Sequence, residues 1–320
     1  MARISPPVAI TTACMSWALG TVLTKSTLSS IPPISLLVLQ LLPSVAALWL
    51  LVLVGGVQPA ARRLLVRAAL LGLLNPGLSY TLNIFGLLHS TASIATLLWA
   101  AEPILILGLA WAFLGERLSA SLLAAIAVGA CGVILVSGLT RAGLAGADGG
   151  HGAALILAGV LCCAIYTVVA RNLAVDPLLA VALQQTMALA WTASVWPVEL
   201  RNGAWATVLT LSPIDMLQAV TSGLLYYAVA YWLYLVALRL MPASVAGGFL
   251  NLVPLFGIAT AYLVLGERLS PAQWAGGILI LLAALSLLRL QGVPSRHRPN
   301  DEQLDQLALG RRRRQSVRTR

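Results

Sequence analysis

Residues 92–119 read ASIATLLWAAEPILILGLAWAFLGERLS, and residues 243–270 read ASVAGGFLNLVPLFGIATAYLVLGERLS. At an offset of 151 they share 11 identities over 28 positions without a gap. The matches begin with Ala92-Ser93 against Ala243-Ser244, include Pro103 against Pro254, and end in the same Leu-Gly-Glu-Arg-Leu-Ser. Tyr80 and Tyr231 match just upstream at the same offset, and a slightly different one pairs Thr21 and Lys25 with Thr167 and Arg171. The chain is an internal duplication, so the reading of one copy constrains the other.

What each copy builds follows from its apolar runs. Of 320 residues, 59% are hydrophobic and only 9% charged, with a mean hydropathy of +0.91; a soluble domain is about a quarter charged. Runs of about 20 apolar residues suffice to cross a hydrocarbon core of roughly 30 Å. They recur near 8–28, 34–54, 68–88, 92–114 and 119–139, then near 152–172, 178–198, 216–238, 243–265 and 271–290. Breaks such as Ile31-Pro32-Pro33, Gly55-Gly56, Asp148-Gly149-Gly150 and Asp176-Pro177 separate them. The first run has a counterpart in the second copy and no small-residue cleavage site, so it reads as a span and not a signal peptide. The expected fold is all-α and integral to a membrane, with ten transmembrane helices in repeats over 7–139 and 153–290. Five spans per copy is an odd number, so the second copy must lie inverted. Inverted repeats let two halves expose one central site to either side, as secondary transporters do.

Lysine and arginine set the expected orientation. With the N-terminus inside, 16 of the 20 basic residues are cytoplasmic, and only Lys25, Arg141, Arg201 and Arg268 face outward. Omitting everything from Arg289 onward, the split is still 7 to 4. Both termini are then cytoplasmic, which an even number of spans requires. The tail over 294–320, with Arg311-Arg312-Arg313-Arg314, reads as disordered and attracted to anionic lipid. No aromatic or folded module accompanies those arginines, so nucleic acid is not an expected partner.

The two tandem units, each ending in Leu-Gly-Glu-Arg-Leu-Ser after an upstream proline and opening with a helix that ends in Lys25 or Arg171, resemble the EamA family of the drug/metabolite transporter superfamily. The resemblance implies a ten-helix inner-membrane carrier with a central cavity, often an exporter of amino acids or related metabolites. The family also includes carriers of sugars and nucleotide sugars, so the resemblance does not name the substrate.

Glu102 is the first candidate for the transport machinery. It lies mid-span in Trp99-Ala100-Ala101-Glu102-Pro103. A charged carboxylate there costs about 2.5–3.5 kcal/mol on insertion scales, so it faces a cavity, pairs with a cation or carries a proton. A proton-coupling role fits; the plain alternative is a carboxylate hydrogen-bonded between helices. Its counterpart is Val253, so no symmetric acidic pair exists. Pro103 and Pro254 free backbone carbonyls near mid-membrane and are candidate hinges, as against simple kinks. Trp99, Tyr80, Asn83, Tyr166, Tyr227, Tyr231 and Asn251 are candidate cavity lining for a polar solute with an apolar portion. Tyr80 and Asn83, and Tyr227 and Tyr231, share helix faces. The competing reading is interhelical bonding, worth roughly 0.6 kcal/mol per contact.

Lys25 and Arg171 read as snorkelling residues at span ends, or alternatively as ligands for a substrate anion. The two Gly-Glu-Arg-Leu-Ser segments read as tight turns. In them Gly115 and Gly266 end helices, Ser119 and Ser270 cap the next ones, and Glu116 and Glu267 stand near a helix N-terminus. Cys14, Cys131, Cys162 and Cys163 lie in apolar runs, and His89, His151 and His297 fall in or near loops. That pattern predicts neither a metal nor a cofactor. No Gly-Lys-Ser/Thr nucleotide loop occurs, so ATP is not the direct energy source. A convergent nucleophile and base is also missing, so an enzyme is not expected. The rival to a carrier is a lipid-handling or non-transport membrane protein on the same fold.

Overall fold

The computed structural model describes residues 5–57, 60–114, 119–137, 149–170, 173–241, 246 and 249–291. Arg171, Gly115 to Leu118, Ala243-Ser244 and the basic tail lie outside the described residues. Among the described residues the regular structure is helical, with no strand. The helices fall into consecutive rods α1 (Pro6–Thr27), α2 (Pro33–Val54), α3 (62–88), α4 (92–114), α5 (Ala120–Ser137), α6 (Gly149–Ala170), α7 (Pro177–Leu209), α8 (Pro213–Leu238), α9 (Leu252–Leu265) and α10 (Pro271–Gln291). α1, α2, α4, α6, α7 and α8 are long and apolar enough to cross a membrane, while α5, α9 and α10 carry shorter apolar stretches.

Local chemistry sets the ends. Prolines occupy the first turns of α1, α2, α7, α8 and α10, where a missing N–H costs nothing. Thr91 caps α4 by accepting from Ile94 N, and Ser212 caps α8 by accepting from Asp215 N. Ser270 and Gln273 form a reciprocal capping box at the start of α10, with bonds of 3.3 and 2.8 Å. Gly266 closes α9 in the left-handed region (φ 67°), as the sequence predicts.

The interruptions within rods recur with the repeat. α3 kinks within Leu73–Leu78, where Asn75 leaves the helical region (φ −142°, ψ 118°), and α8 widens into π-helical turns over the matching Leu224–Val229, 151 residues later. α4 breaks at Ala100-Ala101, one residue before Glu102, and a turn at Asn251, the counterpart of Ala100, precedes α9. Pro103 and Pro254 follow these breaks at matching distances; Pro103 is exposed and Pro254 buried.

Packing pairs the copies. α2 lies against α7 in antiparallel sense, with Ile34 and Ser35 meeting Glu199 at one end and Trp49 donating to Thr186 further along (2.9 Å). α5 and α10 are likewise antiparallel, with Gly132 against Gly276 and Gly129 against Ala283. The second half of α3 packs on α6, and the last part of α8 packs on α1, its repeat-related arrangement. Small residues permit close approach, the usual solution where lipid offers no hydrophobic drive between helices. A Cβ on Gly72 would stand 2.4 Å from the carbonyl oxygen of Gln184, and one on Gly223 2.4 Å from that of Gln40. Gly72 and Gly223 are counterparts; the first immediately precedes the α3 kink and the second the π-helical turns of α8.

Gly223→Ala forces backbone apart between α8 and α2, at about 1–3 kcal/mol by overpacking. Gly108, in α4, has open space around it. Thermal unfolding in detergent is expected to fall for Gly223→Ala and to hold or rise slightly for Gly108→Ala; equal melting temperatures would contradict the contact.

Candidate functional site

The centre of the bundle is assembled from α1, α3, α4, α6 and α8. Tyr80 on α3 and Tyr231 on α8 are repeat counterparts, and their hydroxyls hydrogen-bond directly to each other. Counterparts can meet only where the axis relating the copies passes, so this pair marks it. Around the pair the rings pack edge to face or tilted. Tyr80 stands 5.1 Å from Tyr227, 5.7 Å from Tyr226 and 6.2 Å from Trp99. Tyr226 stands 4.8 Å from Tyr227, and Trp17 contacts Tyr231 at 5.4 Å and Tyr234 at 5.6 Å. These spacings are the preferred ones for aromatic pairs. Trp99 Nε1 donates to Asn83 Oδ1 at 2.9 Å, tying α4 to α3 just before the α4 break.

Glu102 opens the second half of α4, half-buried against α6. Its Oε1 accepts from Cys163 Sγ at 3.3 Å and Thr167 Oγ1 at 3.4 Å, and among the described residues it has no cation partner. Tyr226 and Tyr234 lie within electrostatic reach of it. Tyr166, on the same face of α6 as Cys163 and Thr167, donates to Gln184 Oε1 on α7 at 3.1 Å. Of the residues singled out in the sequence, Tyr80, Trp99, Tyr227 and Tyr231 thus share one cluster, with Asn83 joined through Trp99. Glu102 and Tyr166 flank it from the α6 side, and Asn251 stands at the turn before α9.

Trp17, Tyr226, Tyr234, Cys163 and Thr167 belong to the same centre. Nothing in the sequence separates Trp17 from an ordinary apolar-run tryptophan. Gln40 and Gln184, on α2 and α7, are buried too. Gln40 Nε2 donates to Thr24 and Ser222 (both 2.8 Å), while Gln40 Oε1 and Gln184 Nε2 have no partner among the described residues.

Away from the centre, one end of the bundle is tied by three charged groups. Glu199, at the end of α7's main stretch, accepts from Ile34 N (2.9 Å), Ser35 N (2.7 Å) and Ser35 Oγ (2.7 Å), capping α2. Glu267, after α9, accepts from Ala92 N (2.9 Å), Ser93 N (2.9 Å) and Ser93 Oγ (2.7 Å), capping α4. Both carboxylates complement the positive pole of a helix. The Gly-Glu-Arg segment is therefore a turn, as expected, but its glutamate serves a helix of the other copy. Lys25 does not snorkel. It is half-buried, and its Nζ donates to the terminal carbonyls of α3, Leu87 O (2.8 Å) and Leu88 O (3.4 Å). Orphan carbonyls at a helix C-terminus outcompete solvent for a nearby ammonium.

The EamA-like transporter family model matches residues 6–138 and again residues 150–289. No curated protein matches the chain. A solved structure described only as "Crystal structure of protein" superposes on 92% of this chain and 100% of its own, with a TM-score of 0.59 at 19% identity. At that identity the likeness concerns the fold.

Glu267→Gln replaces one acceptor oxygen by a donor facing the α4 N–H groups, at about 1–3 kcal/mol for a buried cap left unmatched. Melting in detergent is expected to drop, and Ser93→Ala combined with Glu267→Gln to add little, since both disrupt one cluster. Fully additive losses would rule out the shared cap.

Proposed function

We propose, from the premise that this chain belongs to the EamA-like transporter family, that it is a secondary carrier working by alternating access, exporting small metabolites such as amino acids. All ten rods cross the bilayer in this reading, as two inverted five-helix repeats. The membrane is the inner, plasma membrane, with both termini cytoplasmic. The observation that carries the proposal is the meeting of Tyr80 and Tyr231 at the interface of the copies, with Glu102 on the flanking α6 side, bonded to Cys163 and Thr167. A solute bound there touches both halves at once, so a rocking of one against the other transfers it between faces.

The aromatic rings offer flat apolar contact, and their hydroxyls, Asn83 and Glu102 offer polar contact. That combination suits a small solute with an ammonium group and an apolar portion. Glu102 takes either a proton or the substrate's ammonium, and the exclusion of one by the other couples the two fluxes. The end held by Lys25, Glu199 and Glu267 is the outer gate in this reading, here closed. Leu28, Ile31 and Ile34 are buried at that end. Opening it requires the caps on α2 and α4 to release, while the breaks at Ala100-Ala101 and Asn251, followed by Pro103 and Pro254, serve as hinges.

Counterflow in proteoliposomes, with pools of labelled amino acids, sugars and organic acids, tests this directly. Saturable exchange is expected for the amino-acid pool, driven further by a proton gradient in the wild type. Glu102→Gln is expected to abolish the response to the gradient. Tyr231→Phe, losing one hydrogen bond of about 1 kcal/mol, is expected to slow exchange about fivefold. Folded, inserted protein that exchanges none of the pools would overturn the carrier reading; unchanged proton coupling in Glu102→Gln would overturn the role of Glu102.

A further inference from the structure

Beside the outer-gate cap lies a groove unconnected with the aromatic centre. It has a volume of about 570 Å³ and runs between α9 and the start of α10, lined by Leu255, Ile258, Ala259, Tyr262, Leu269 and Trp274 together with the charged neighbours Glu267 and Arg268. Leu255, Ile258 and Tyr262 are spaced by three and four residues, so they form one face of α9, rising about 10 Å. Tyr262, Trp274 and Leu255 are exposed, and the face opens outward from the bundle.

Arg268 is the unusual element. It is exposed, its guanidinium lies 5.9 Å from the centre of the Tyr262 ring, and among the described residues no carboxylate pairs with it. Its neighbour Glu267 is already engaged by Ala92 and Ser93. By the charge bias of the chain, Arg268 stands on the outer side, where basic residues are few. An arginine with its donor fork free, at a helix end between a tyrosine and a tryptophan, matches a phosphate at the level of the lipid headgroups. The apolar face running from it along α9 matches the upper part of an acyl chain.

We propose that this groove binds one anionic glycerophospholipid, its phosphate on Arg268 and an acyl chain along Leu255, Ile258 and Tyr262, and that the lipid holds the outer gate shut. The link is covalent and short: Arg268 follows Glu267 in the turn that Gly266 opens, and Glu267 caps α4. A phosphate that steadies Arg268 steadies the turn and keeps the carboxylate on Ala92 and Ser93. The inference rests on the proposed outer gate and on the chain lying in a membrane, not on what it carries, and binding is measured without transport.

The test uses full-length protein in neutral detergent. Hydrogen exchange at the Ala92 and Ser93 amides is followed with added phosphatidylglycerol, phosphatidylcholine or inorganic phosphate. Phosphatidylglycerol is expected to slow exchange there about fivefold, the value of one basic residue near an anionic headgroup. Arg268→Gln, which removes the charge, and Ala259→Trp, which fills the groove with the charge intact, are each expected to abolish the slowing. Arg239→Gln is expected to leave it unchanged, since Arg239 pairs with Asp176 instead (3.3 Å). Slowing that survives in either groove variant overturns the proposal. So does equal slowing by inorganic phosphate, which would mark a free-anion site, or by phosphatidylcholine, which would mark a neutral-lipid surface.

Discussion

Below the headgroups no backbone N–H or C=O can turn to water, so a helix that starts, stops or breaks within the lipid must find partners inside the protein. That constraint organises this molecule. At one end, the first N–H groups of α2 and α4 are answered by Glu199 and Glu267, and the last carbonyls of α3 by Lys25. Each partner comes from another helix, and the two carboxylates come from the other repeat. The same bonds that satisfy local backbone therefore determine how the copies sit together at that end. Each is charge-assisted, worth about 1.5–3 kcal/mol, which makes them sturdy enough to hold a conformation.

The centre obeys a different rule, that of near-symmetry with one exception. Tyr80 and Tyr231 face each other, α3 and α8 are interrupted at matching positions, and Gly72 and Gly223 abut Gln184 and Gln40 alike. Glu102 breaks the pattern, since Val253 holds the corresponding place. Two inverted copies with identical chemistry would favour neither face. A single carboxylate on the α6 side makes the two halves chemically unlike, the asymmetry on which the proposed coupling rests.

Much of this is legible in the sequence because it arises from strong, local signals. Long apolar runs, the prolines at helix starts, the Gly266 turn and the offset of 151 are all readable from composition and spacing. The meeting of Tyr80 with Tyr231 is half readable: equivalence is visible, contact is not. The α3 irregularity is announced by Asn75-Pro76-Gly77, but its α8 counterpart, Leu224 to Val229, contains neither proline nor glycine. There the widening follows from packing, with Gly223 pressed on Gln40 and Tyr227 O accepting from Gln185. Glu199 has no local marker at all, and Lys25 resembles any lysine at a span end. Their roles depend on which helix ends lie beside them, a property of tertiary arrangement that single-segment reading does not reach.

The placement of the caps also explains why a tight end need not be a rigid one. Glu199 and Glu267 each hold two successive N–H groups and one serine hydroxyl, so each cap makes and breaks as a unit. On release, the exposed carboxylate and helix terminus both lie at a rod end, where headgroups and water can receive them. A comparable break at mid-membrane would strand the same groups in hydrocarbon at several kcal/mol each. The interruption within α4 at Ala100-Ala101 and the turn at Asn251 before α9 are therefore suited to bending, and the charged caps at the rod ends to opening.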